Sequence, residues 1–124
     1  MFIVKEDASI YLTRGDAAVI AVSANDGDGG TYKFQDGDRV IFRVFEKKNC
    51  QKVLLQKELY ITSETETAEI LLTSNDTKIG DVISKPKDYW YEVELNPQSS
   101  PQTIVGYDED GAKIFRLFPE GSDK

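Results

Sequence analysis

The chain has no histidine and a single cysteine, and these two shortages remove most familiar catalytic chemistry at once. Ser-His-Asp and Cys-His catalysis cannot be assembled, and the commonest zinc ligand is missing together with a second cysteine. Cys50 has no partner for an intrachain disulfide and sits among the polar residues KKNCQK. A disulfide-stapled secreted scaffold is therefore excluded, a reducing compartment is the simpler expectation, and a reactive thiol has little support. Long apolar runs are also missing. No stretch approaches the roughly 20 residues that cross a bilayer. The start, MFIVKEDAS, offers only Phe2, Ile3 and Val4 before charge begins, too little for the apolar core of a signal peptide. Basic clusters are lacking as well: 15 basic against 22 acidic residues give a net charge of −7, spread along the chain. Neither nucleic acid nor a membrane is expected as a partner, and no cofactor is implied.

What is present is a β rhythm. At 124 residues and 13.9 kDa the chain suits one domain, 1–124, with 119–124 expected to fray. Strand-like segments recur between turn residues: SIYLT (9–13), AAVIAVSA (17–24), RVIFRVFE (39–46), KVLLQKELYIT (52–62), TAEILLT (67–73), DYWYEVEL (88–95), QTIVGY (102–107) and KIFRLF (113–118). They predict an all-β antiparallel sandwich of seven or eight strands. The break SNDTKIG (74–80) predicts one short helical turn capped by Ser74 and ended by Gly80.

Two strands are apolar on both faces. RVIFRVF sets Val40, Phe42 and Val44 against Ile41 and Phe45, and KIFRLF sets Ile114 and Phe118 against Phe115 and Leu117. Such strands need cover on both sides. Ile41, Phe45, Phe115, Leu117 and the lone Trp90 are thus candidate partner-interface residues, with burial inside the monomer as the competing expectation.

The acidic, glycine-rich stretch NDGDGGTYKFQDGD (25–38) invites a calcium reading, but the EF-hand spacing fails in both frames. From Asp26 the sixth and twelfth positions are Thr31 and Gly37; from Asn25 the third and fifth are glycines. Turns explain it better: Gln35-Asp36-Gly37-Asp38 launches a strand, and Asp108-Glu109-Asp110-Gly111 reads as a hairpin connection. Glu92 and Glu94 share a strand face, but no spacing fixes an acid–base pair. In DYWYEVEL, alternation groups Tyr89, Tyr91, Val93 and Leu95 as core and leaves Trp90 with Glu92 and Glu94 on the opposite face. Trp90 also supports a second function class, a small carbohydrate-binding or adhesion module.

The passage LTSNDTKIGDVISKPKDYWYEVEL resembles the E-to-F corner of immunoglobulin-like sandwiches, which implies a tyrosine-corner role for Tyr91. More of the chain, from SIYLTRGDAAVIAVSANDGDGGTYKFQDGDRVIFRV through TAEILLT, DTKIG, YWYEVEL and the closing strands, resembles the N-terminal domain of upper baseplate proteins of phages that infect Gram-positive bacteria. The resemblance implies a non-enzymatic, immunoglobulin-like tail or baseplate protein, made in the bacterial cytoplasm and carried on the virion. Its partners would be other tail proteins or copies of itself. Arg14-Gly15-Asp16 is read as a turn of that pattern and not as an integrin ligand.

Overall fold

The computed structural model describes residues 1–5, 7–24, 30–49, 51–96, 99, 101–106 and 111–120. Among them, strands β2 (Ile10–Thr13), β3 (Ala18–Val22), β4 (Arg39–Phe45), β5 (Val53–Tyr60), β6 (Ala68–Leu72) and β7 (Lys87–Leu95) fall where alternation places them. So do β8 (Gln102–Val105) and β9 (Lys113–Phe118). A further strand, β1 (Phe2–Val4), precedes them; its three residues are too short for a periodic signal.

The fold is all-β, in two layers. A mixed seven-stranded sheet runs β1-β2-β9-β7-β4-β5, with β8 beside β7, and β3 and β6 form a separate two-stranded sheet. The purely antiparallel expectation is corrected at one place: β2 runs parallel to β9, Ile10 opposite Phe115 and Leu12 opposite Leu117. β8 and β9 do not pair as the expected hairpin either. β8 and β9 pair one after the other with β7, Leu95 to Gln102 and Val93 to Val105, then Tyr91 to Lys113 and Lys87 to Leu117. Both segments run in one direction along β7; residues 107–110 lie outside the described set, as do Cys50, 25–29 and 121–124. The Glu120 side chain packs so near Gly15 that a Cβ there would stand 1.6 Å from its Oε1.

Alternation builds the core. Ile10 and Leu12, Val40, Phe42 and Val44, Tyr89, Tyr91 and Val93, and Phe115 and Leu117 point from the large sheet towards Ile20, Val22, Ile70 and Leu72 of the small one. Each such side chain contributes about 1.5–3 kcal/mol by leaving water. Phe42, Tyr91 and Phe115 meet as an aromatic group with centroids 5.5 to 6.5 Å apart, within the range of favourable tilted and edge contacts.

No helix forms among the described residues, and the helical turn expected at 74–80 is corrected to a hydrogen-bonded turn at residues 74–77. Thr73, not Ser74, caps it: Asp76 N–H donates to Thr73 Oγ1 at 3.2 Å while Thr73 N–H donates to Asp76 Oδ2 at 2.8 Å, a reciprocal arrangement like a capping box. Thr77, fully buried, draws the Arg14-Gly15-Asp16 turn onto it. Its hydroxyl accepts from Gly15 N–H at 2.9 Å and lies within donating distance of the Asp16 and Ser74 carbonyls. Ser74 donates to the Gly15 carbonyl at 2.6 Å, and the buried Arg14 donates to the carbonyls of Ile79 and Gly80. A recognition arginine must reach solvent, whereas this one clamps two loops together.

Candidate functional site

The outer face of the large sheet gathers most of the residues that the sequence singles out. Register places Ile41 of β4 between Glu58 of β5 and Glu94 of β7, Arg43 between Gln56 and Glu92, and Phe45 between Val53 and Trp90. On the far side of β7, Trp90 faces Ile114 and Asp88 faces Arg116, which in turn lies beside Tyr11.

The polar members bind one another. Arg43 donates to Gln56 Oε1 at 3.0 Å and to Glu94 Oε1 at 2.7 Å, and stands 3.4 Å from Glu92. Gln56 passes the chain of contacts to Glu58, which Arg39 engages through its guanidinium. That pairing draws Glu58 below the ordinary carboxylate range, chiefly through the Arg39 hydrogen bond. At the other end Arg116 grips both oxygens of Asp88 and donates to the Tyr11 hydroxyl at 3.0 Å, with its guanidinium 4.9 Å from the Tyr11 ring centre. Single exposed ion pairs add little stability, but the long side chains here lay their stems over apolar neighbours.

That cover decides the fate of the candidate interface. Ile41 is 1% exposed, Phe45 3%, and Phe115 and Leu117 0%; all four are buried within this one chain. Phe115 and Leu117 face the core between the layers. Ile41 faces outward but is enclosed by Arg39 and Arg43, two residues to either side on the same strand, reaching across to Glu58 and Glu94. The two-sided apolar pattern of β4 is therefore met inside the monomer and gives no reason to expect a partner over these side chains. Trp90 alone of the set is half-buried, in an apolar row between Phe45 and Ile114.

Tyr91 also does something other than its expected role. A tyrosine corner bonds backbone a few residues upstream on the chain, whereas the Tyr91 hydroxyl donates to the carbonyl of Ala8, in the β1–β2 connection. Burial, with a smaller contribution from Asp7, pushes this phenol well above its ordinary value. Tyr89 is the tyrosine near the corner, its hydroxyl packed so closely that a Cβ on Gly80 would lie 2.9 Å away.

A second polar cluster closes one end of the sandwich, where sequence reasoning saw only a turn. Asp38 accepts from Tyr32 Oη at 2.6 Å, Gln35 N–H at 2.9 Å and Asn96 Nδ2 at 3.0 Å. Asn96 Oδ1 in turn accepts from Arg39 N–H at 2.8 Å. Gly37, at φ 95°, completes the Gln35–Asp38 turn as expected. Among the described residues no three His, Cys, Asp or Glu side chains converge as a metal site. The calcium reading of 25–38 rests partly on 25–29, which lie outside that set. Two open depressions lie among the described residues, one of about 350 Å³ over Lys33 and Glu64–Glu66 and one of about 210 Å³ along the β5–β6 side. Comparison with protein-family models, with curated proteins and with solved structures finds no match.

Proposed function

We propose that this chain is a non-enzymatic structural protein of a phage or prophage tail or baseplate. In this reading it is an immunoglobulin-like sandwich that works through protein–protein contacts, either with other tail proteins or with copies of itself. The observation that carries the reading is the strand order. β3 and β6 pair antiparallel as strands B and E do, without the flanking A and D strands of that sheet, while β4, β7 and β9 sit side by side as C, F and G do, with β5 flanking β4 as C′. The Arg14-Gly15-Asp16 turn, the Gln35–Asp38 turn and β7 fall along this path in the order of the baseplate-like motifs. The charged groups of the outer face are tied to one another, which argues against a reactive centre on that face.

The test is composition of particles. Mass spectrometry of virions purified after prophage induction is expected to detect the chain, with tail or portal genes in the flanking reading frames. Its absence from particles, together with flanks free of such genes, overturns the proposal. The second reading, a carbohydrate-binding or adhesion module, draws on the half-buried Trp90 and predicts affinity for glycans in the isolated monomer.

A further inference from the structure

We infer that the outer edge of β1 is a self-association edge whose occupant is β1 of a second copy of this chain, added antiparallel. The inference rests on the protein–protein reading above and names the surface and the partner.

The two edges of the large sheet are built differently. β5 guards its edge with Gln56, Lys57 and Glu58 and with a register shift opposite Val44 and Phe45, devices that discourage edge pairing. β1, though short, has no charged side chain and no register shift within Phe2–Val4. Met1, Phe2, Ile3 and Val4 are 47%, 39%, 45% and 54% exposed, and among the described residues nothing pairs beyond β1.

Its hydrogen-bond phase makes the edge self-complementary. Thr13 N–H donates to the Met1 carbonyl and Lys5 N–H to the Ser9 carbonyl, at 3.0 and 2.8 Å. Residues 1, 3 and 5 therefore spend their backbone groups on β2, and the amides and carbonyls of Phe2 and Val4 point outward. A two-fold axis through Ile3 brings Phe2 of one copy opposite Val4 of the other, twice, so that each pair exchanges two N–H···O bonds. Ile3 then packs on its own symmetry mate, and the exposed apolar side chains at this edge gain cover.

Charge fits the same arrangement. Position 1 of one copy meets position 5 of the other. Asp16, which holds the Met1 amine at 2.8 Å and keeps a 48% exposed side chain, thus comes beside the second copy's Lys5. The contact is small and belongs to the weak class of interfaces, so it acts when copies are concentrated or held side by side, as in a symmetric assembly.

Val4→Pro separates this edge from the fold. It removes an outward N–H and leaves every β1–β2 bond in place. In sedimentation velocity over a concentration series to about 1 mM, the range a weak interface needs, the wild-type chain is expected to show a rising sedimentation coefficient. V4P is expected to stay monomeric with an unchanged melting temperature. A wild type that remains monomeric throughout overturns the inference; if such a chain is still found in virions, the tail-protein reading stands without it. A V4P chain that associates as the wild type does also overturns it and moves the contact to another surface, such as the exposed Val19 and Leu71 of the small sheet.

Discussion

Tyr32 donates its hydroxyl to Asp38 Oδ2 at 2.6 Å, and the two groups are shifted in opposite directions from their ordinary values. Burial alone raises Asp38, but hydrogen bonds from Asn96, the Gln35 amide and Tyr32 outweigh it and hold the carboxyl below its ordinary 3.8. The Asp38 hydrogen bond, with burial second, pushes Tyr32 from 10.0 up to about 12. A lowered acid stabilises the fold above its unfolded value and loses that contribution as pH falls through the folded one. A raised phenol stabilises below 10.0 and loses its contribution as pH rises towards about 12. Tyr32→Phe should therefore flatten the alkaline loss of stability and cost about 1 kcal/mol at neutral pH. Asp38→Asn should reduce the acid loss. Urea melts from pH 2 to 12 of the wild type and both variants check the two limbs, the range being approximately that of the pair's titration; identical alkaline limbs in wild type and Tyr32→Phe would contradict the assignment.

Gly15 is held at φ 90° with its amide on Thr77 and with Glu120 filling the space a Cβ would need. Gly15→Ala is expected to destabilise by more than the roughly 1 kcal/mol that positive φ alone costs an L-residue, because Glu120 must also move. Thr77→Val keeps the shape, leaves the Gly15 amide without its acceptor, and should cost about 1–3 kcal/mol. Chemical denaturation measures both. A neutral Thr77→Val would mean that the Arg14-Gly15-Asp16 turn does not depend on this hydroxyl.

How far the sequence could be read divides along physical lines. Alternation in β7 correctly sorted Tyr89, Tyr91, Val93 and Leu95 from Trp90, Glu92 and Glu94, because a period of two depends only on local geometry. The same logic showed that β4 is apolar on both faces but not what covers the outer one. That depends on register, which sets Glu58 and Glu94 beside Ile41 and cannot be deduced from one strand. The parallel β2–β9 pairing and the shared run of β8 and β9 along β7 are choices made between distant segments. β1 escaped because three residues hold no period. For Tyr91 the motif pointed to a hydroxyl in use but not to its acceptor, Ala8.

The enclosure of Ile41 makes a prediction about variants. Ile41→Ala should cost about 2–5 kcal/mol, as for other buried truncations, although its strand face looks away from the main core. Arg43→Ala removes a lid as well as charge; it should cost about 1 kcal/mol or more through lost cover and hydrogen bonds. Since Ile41 and Phe45 are enclosed by one chain, these losses should be independent of protein concentration. A melting temperature for Ile41→Ala that recovers as concentration rises would restore the side chain to an interface.

Trp90 gives the sharpest division between the two functional readings. Its ring lies in the row Val53, Phe45, Trp90, Ile114, with Phe45 buried beneath neighbouring side chains and Val53 exposed at the sheet edge. A sugar-binding platform needs a ring face open to stack on a hexose together with polar groups aimed at its hydroxyls. The charged groups to either side of Trp90 on this face are already engaged, Arg43 with Glu92 and Glu94 and Arg116 with Asp88. As the chain's single tryptophan, Trp90 reports its surroundings without interference. Titration with a panel of cell-wall and host glycans is expected to leave its emission unchanged in intensity and wavelength. Trp90→Phe should cost about 1–3 kcal/mol by loss of packed volume between Phe45 and Ile114. Saturable quenching by one glycan class, abolished in Trp90→Phe while the fold is retained, would replace the structural-protein reading with the carbohydrate-binding one.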